Sequence, residues 1–203
     1  SAQVRRQFTS PSRQYSSGPL WVWNDMLTEQ QIAETMADLA GQKVRQVFVH
    51  PRPGLMTPYL SEDWFRLWKV ALREAEKLDM NVWIYDENSY PTCFAGGLVP
   101  EAMPESRALG LKVTERKRVN LSDPDIFAVY KKAGDGFEMI AKDTAGDGFM
   151  DGEFVVVTLE QAKESPWYGG KFHTDLLRPG VTEKFLEITL DAYKKHFGDE
   201  FGK

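Results

Sequence analysis

Residues 82–88 read VWIYDEN, an apolar and aromatic run that ends in two adjacent carboxylates and an amide. Asp86, Glu87 and Asn88 have no place inside a buried strand, because an unpaired charge in an apolar interior is expensive. The carboxyl end of a parallel strand is a different setting, since polar side chains there emerge onto loops that line a cleft. The chain offers comparable endings elsewhere: Asn24-Asp25, His50-Pro51-Arg52, and Asp175 with Arg178. Carboxylates, amides and an arginine can each bond vicinal hydroxyls, while Trp21, Trp23, Trp83 and Tyr90 can cover the C–H side of a sugar ring. A phosphate would instead call for a glycine-rich amide loop and more lysine. The mixture points to a carbohydrate.

Within this set, strand alternation separates Asp86 from Glu87. Glu87 is favoured for the cleft and Asp86 for capping a loop amide, and both are kept as catalytic candidates. His50, Arg52, Asn88, Tyr90, Asn24 and Asp175 are the substrate-binding candidates. His50 could equally bond a backbone carbonyl, and Arg52, between two prolines, could be a rigid surface turn. Asp175, read as internal to a strand, needs either the cleft or a buried partner. Gly96-Gly97 fits a hinge or a close backbone approach to a ligand. No metal or cofactor is expected. His50, His173 and His196 lack zinc spacing, and Asp143, Asp147 and Asp151 miss the spacing of a calcium loop and fit hairpin turns. Cys93 is the single cysteine and reads as a packed thiol.

The elements that position these groups follow from periodicity and punctuation. Residues 1–18, rich in Ser, Arg and Gln, read as an extended or poorly ordered arm. GPLWVWND is a short strand, and the following Thr28-Glu29-Gln30-Gln31 is a capping box for a helix ending near Gly41. VRQVFVH is a second strand, closed by Pro51-Arg52-Pro53-Gly54. Ser61 caps a second helix whose buried stripe is Trp64, Leu67, Trp68, Ala71, Leu72, Ala75 and Leu78. MNVWIYDEN is a third strand. KVTERKRV, IFAVYKK, FEMIAK and EFVVVTL then form a small antiparallel β subdomain over 112–165, inserted between βα units 1–3 (19–111) and a fourth unit (166–203). In that fourth unit KFHTDLL is the strand and Thr182 caps the helix. Four βα units make an α/β fold, a partial (β/α)8 barrel.

The 203 residues carry a net charge of −5, which argues against nucleic acid as the main partner. No apolar run approaches the roughly 18 residues of a membrane span.

LWVWNDMLTEQQIAETMADL, VFVHPRPGLMTPYLSEDWFRLWKVALREAEKL, VWIYDENSYPTCFAGG and DLLRPGVTEKFLEIT together resemble large bacterial glycoside hydrolases of the α-L-rhamnosidase-like type, over roughly 19–111 and 166–203. The resemblance implies an N-terminal (β/α)8 barrel in which His50, Arg52, Asp86, Glu87 and Asn88 line the sugar subsite. It also implies a catalytic carboxylate on a further strand, and this chain ends at EFGK before that strand. The expectation is therefore the N-terminal part of a glycoside hydrolase acting on an oligo- or polysaccharide and inactive alone. The alternative is a non-catalytic carbohydrate-binding or assembly module. Open strand edges would favour a homodimer or pairing with the missing barrel half. The substrate class favours a periplasmic or secreted site of action.

Overall fold

The structure, a computed structural model, describes residues 2–140 and 148–203. The chain divides into two compact units, Ser1–Ser106 with Glu164–Lys203, and Arg107–Lys163.

The first unit begins with a short helix, α1 (Ala2–Thr9), and a single 3-10 turn at Arg13–Tyr15. The arm is thus partly helical rather than extended. Its end is tied down: the Ser16 carbonyl accepts from Gln46 Nε2 at 2.8 Å, and Ser16 Oγ accepts from the Arg45 amide at 2.7 Å. Three strands follow in alternation with helices: β1 (Leu20–Trp23), α2 (Glu29–Gly41), β2 (Gln46–Pro51), α3 (Glu62–Leu78) and β3 (Asn81–Ile84). Each helix carries the chain back to the starting edge, so the strands pair in parallel in the order β1-β2-β3.

Local chemistry explains the helix boundaries. Thr28 and Gln31 form the reciprocal capping box at the start of α2, and Ser61 Oγ accepts from the Trp64 amide at the start of α3. The helices cover one face of the sheet. Val47, Val49, Trp23, Val82 and Ile84 pack there against Trp64, Leu67, Trp68 and Ala71 of α3 and Ile32 and Met36 of α2. Trp23 meets Trp64 edge-on with centroids 5.0 Å apart. The alternate positions point to the other face, where Phe48 stacks on Trp83 at 5.9 Å and Leu20 and Val22 are exposed.

The partial barrel expected from four βα units is not what the chain forms. Among the described residues the parallel sheet stops at three strands, the other sheet is separate and antiparallel, and no barrel-like arrangement of βα units appears. KFHTDLL, expected as the fourth strand, is irregular: Lys171 and Thr174 make only isolated bridges, and Leu176 and Leu177 lie in a turn. The physical reason lies in its hydrogen bonding. Asp175 Oδ1 accepts from the Leu177 amide at 3.0 Å and the Asp175 carbonyl accepts from the Arg178 amide, so the segment closes on itself. Leu176 and Leu177 are correspondingly exposed. The last helix also differs from expectation. Its N-cap is Gly180 rather than Thr182, and it breaks at Thr189 into α5 (Val181–Ile188) and α6 (Leu190–Phe197), with a short α4 (Leu98–Ala102) earlier in the chain. Tyr193 and Phe197 of α6 join the core beneath α3.

The second unit is a four-stranded antiparallel sheet of β4 (Leu109–Asn120), β5 (Ile126–Ala133), β6 (Gly136–Ile140) and β7 (Phe149–Gln161), ordered β4-β7-β5-β6. Val119, Leu121, Ile126, Val129, Phe154 and Val156 form its small core. Leu111 pairs with Leu159 across β4 and β7 and both stay exposed. Asp143 and Asp147 of the acidic stretch lie outside the described residues.

Candidate functional site

Because the three strands of the first unit are parallel, their carboxyl ends share one edge. The register sets the levels: Val22 pairs with His50, Trp23 with Pro51, and Val49 with Ile84. Just past these pairs the His50 and Tyr85 rings meet, 3.9 Å apart. The chain turns sharply after β2, where the Arg52 amide donates to the Trp23 carbonyl at 3.1 Å. Gly54, at φ +104°, lies so close to the Asn24 carbonyl that a Cβ would sit 2.7 Å from it. Any side chain there would push the Arg52 turn off the end of β1.

His50 is the most buried polar group of the edge, 4% exposed, with its ring 3.9 Å from that of Tyr85. Neither ring nitrogen has a hydrogen-bond partner among the described residues. Burial lowers the His50 pKa, and the Arg52 guanidinium lowers it further, so the imidazole stays neutral and keeps one donor and one acceptor. Tyr85 is shifted the other way. Burial raises its phenol first, then the Glu87 carboxylate, which is also its hydrogen-bond partner, then Asp86, with Arg52 opposing. His50, Arg52, Tyr85 and Glu87 therefore form one electrostatic neighbourhood.

Alternation carried past β3 puts Glu87 on the Tyr85 side and Asp86 on the side of the helices. Asp86 accepts a hydrogen bond from Thr92 Oγ1, a side-chain hydroxyl rather than a loop amide. Burial and the Asp86 charge together raise the Tyr59 phenol, whose oxygen is buried without a hydrogen-bond partner among the described residues. The two carboxylates thus do different work: Asp86 ties down its own loop, while Glu87 faces the side where His50 and Tyr85 lie.

The loop after β3 is held in an uncommon conformation. Ser89, Cys93 and Ala95 all have left-handed φ, 63°, 73° and 50°, and Gly96 and Gly97 follow at 63° and 99°. Such backbone is costly for residues bearing a Cβ and persists where its surroundings over-determine it. Asn88 accounts for one glycine. A Cβ on Gly96 would come within 2.4 Å of Asn88 Nδ2, so the amide packs directly on bare backbone.

The other expected site residues sit apart from this cluster. Tyr90 points outward, 52% exposed, with its ring edge-on to Trp167. Asn24 is exposed beside the Arg52 turn. Asp175 is not on a strand; its carboxylate closes the turn to Leu177. Tyr85, Tyr59 and Thr92 were not singled out from the sequence. Tyr85 had a readable signal, being two residues before Glu87 and so on its side of the strand. Tyr59 and Thr92 had none, since only the folded loops bring them to Asp86. A cavity of about 970 Å³ lies elsewhere. All four residues of β3 line it with Lys69, Arg73, Lys194 and Lys195, along the strand that has no outer neighbour among the described residues. The strand-end cluster is an open edge.

Comparison with known protein families, with curated proteins and with solved structures gives no match. No helix among the described residues is long and apolar enough to cross a membrane.

Proposed function

We propose that the carboxyl edge of the β1-β2-β3 sheet binds a sugar and that residues 1–203 are the sugar-binding part of a glycoside hydrolase. The observation that carries this reading is the convergence of Glu87, Arg52, His50 and Tyr85 at one edge, with one anion, one cation, a neutral imidazole and a phenol side by side. Glu87 accepts from a sugar hydroxyl and Arg52 donates to a neighbouring one, while the buried His50 ring backs Tyr85 from within the edge. Hydrolysis ordinarily needs two carboxylates flanking the bond, about 5–5.5 Å apart for retention or about 6.5–9.5 Å for inversion. Asp86 is held by Thr92 in its own loop and Glu87 is partnered by the Tyr85 phenol at the cluster, so the cluster itself supplies one carboxylate, Glu87. That engagement favours a chain that binds without cleaving when alone, and it is also the observation behind the second reading, a carbohydrate-binding or assembly module. Among the described residues the outer edges of β1 and β3 lack neighbours, and they supply a route to a homodimer. A polysaccharide substrate would place the protein in the periplasm or outside the cell.

Calorimetric titration with L-rhamnose and with rhamnogalacturonan oligosaccharides, alongside an aryl-glycoside assay, tests the reading. Saccharide binding that weakens in Glu87→Gln and Arg52→Ala, without turnover, is the expected result. Turnover by this chain would overturn the claim that it is inactive alone, and absence of binding to any saccharide would overturn the site.

A further inference from the structure

Tyr90 and Trp167 stand out among the exposed aromatic residues. They are 52% and 67% exposed, yet their rings lie 6.2 Å apart at 82°, making a right-angled corner open to solvent. Scattered surface aromatics need no explanation. A paired tyrosine and tryptophan on braced loops is another matter, because large rigid rings presented in place lose little conformational entropy on binding.

The bracing runs through the backbone on both sides. On the Trp167 side, Ser165 and Lys171 form an antiparallel bridge, and Ser165 Oγ accepts from the Trp167 amide at 3.2 Å. The Ser165 carbonyl accepts from the amides of Tyr168 and Gly170, both at 2.9 Å. The two loops also lock to each other. Thr174 Oγ1 donates to the Cys93 carbonyl at 3.3 Å, and the rings of Phe94, Tyr168 and His173 form a mutual cluster, with Tyr168 6.1 Å from Phe94 and 5.1 Å from His173. Glycines permit the close fit. A Cβ on Gly97 would meet the Lys171 side chain at 2.7 Å, and one on Gly169 would come 3.3 Å from Ser89 Oγ. Beneath the corner the loops are packed and hydrogen-bonded, while the two rings themselves are left uncovered.

We infer that the Tyr90–Trp167 corner is a second saccharide subsite, taking the next pyranose of a chain whose first unit occupies the strand-end cluster. This rests on the sugar-binding reading of that cluster. Tyr90 is three residues beyond Glu87, so the two positions are at most about 11 Å apart along the backbone, the scale of a disaccharide. A pyranose offers an apolar C–H face to one ring and an equatorial edge to the other, and its hydroxyls remain in water. The ligand class is therefore an oligosaccharide of two or more units rather than a monosaccharide.

The test compares the same two probes, L-rhamnose and rhamnogalacturonan oligosaccharides, on the wild-type chain and on Trp167→Ala, Trp167→Phe and Tyr90→Ala. Trp167→Ala and Tyr90→Ala are each expected to weaken oligosaccharide binding about tenfold, the loss typical of a truncated aromatic anchor. Trp167→Phe should recover most of it, and the affinity for L-rhamnose should hardly change. Oligosaccharide affinity identical in wild type and Trp167→Ala would overturn the second subsite and leave the first standing. Wild type binding neither probe would overturn both. Loss of a dimer on light scattering in Trp167→Ala, with saccharide affinity unchanged, would make the corner a protein contact and also overturn the subsite.

Discussion

In the parallel sheet all three strands run toward the same edge, so the loops that carry Asn24, Arg52 and Glu87 all leave from that edge. In the antiparallel sheet neighbouring strands run in opposite directions, and the polar groups at their ends go to opposite rims. Charge there is met sideways, by exposed pairs such as Lys112–Glu160 at 2.6 Å and Lys132–Glu153 at 3.2 Å across adjacent strands. Such pairs are worth little individually. Strand direction, more than composition, decides which sheet of this chain can gather a site. The cores differ too. The parallel sheet is backed by helices and a tryptophan cluster, the antiparallel one by six buried residues.

The sharpest break of that comparison is Trp23→Ala. Trp23 is fully buried among Trp21, Trp64 and Trp68, and truncating a buried tryptophan costs about 3–5 kcal/mol. All six tryptophans of the chain, at 21, 23, 64, 68, 83 and 167, fall in the first unit. Urea unfolding followed by tryptophan fluorescence therefore reports the parallel sheet, and its midpoint should drop sharply. If the transition of the antiparallel sheet, followed by amide hydrogen exchange, drops equally, the two cores share one cooperative transition and the contrast between them fails.

Val156→Ala is the converse test. Val156 is fully buried at the centre of the second unit. Two methylene equivalents at about 0.8 kcal/mol each, plus the cavity left behind, give a loss of about 2 kcal/mol. Amide exchange along β5 and β7 should accelerate while the tryptophan transition stays in place. Slow exchange retained in those strands would show that the small core does not govern the sheet.

A pH series separates the units without a cavity. His50 and His173, both in the first unit, have pKa values lowered by burial, His50 also by Arg52. The unfolded chain takes up these protons near the ordinary value of 6.5, the folded chain only at lower pH. Between those limits the unfolded state holds more protons, so stability falls as pH drops through 6.5 and the loss is complete below the folded pKa values. The tryptophan midpoint should therefore fall as the pH is lowered from about 7.5 to about 5. His50→Gln with His173→Gln should flatten that dependence. An equally steep dependence in the double variant would assign it to other groups.

How much of this was legible depended on whether the signal was local. The capping box at Thr28 and Gln31, the Ser61 cap and the tryptophan stripe of α3 are decided within a few residues, and the sequence displays them directly. The alternation that places Glu87 with Tyr85 and Asp86 apart from them is also local. KFHTDLL reads as a strand because its β-branched and aromatic content resembles one until one asks where its backbone hydrogen bonds go. Asp175 answers that by closing a turn. The contact of Asp86 with Thr92, and that of Asn88 with bare backbone at Gly96, depend on loops folding back, and no spacing announces them. The arrest of the parallel sheet at three strands is a property of which elements pair, which periodicity does not encode.

The smallest effect tests the most local of these signals. Thr28 Oγ1 accepts from the Gln31 amide at 3.2 Å while Gln31 Oε1 accepts from the Thr28 amide at 2.9 Å, so each side chain satisfies a donor that the first turn of α2 leaves free. Thr28→Ala removes one acceptor, loosens the return bond, and should cost about 1 kcal/mol. Thr28→Ser or Thr28→Asp keeps the acceptor and should restore most of the loss. Because α2 backs the parallel sheet alone, the tryptophan transition should move and exchange in β4–β7 should not. A loss in Thr28→Ala that Thr28→Ser fails to recover would mean that the threonine methyl, not the cap, secures the helix.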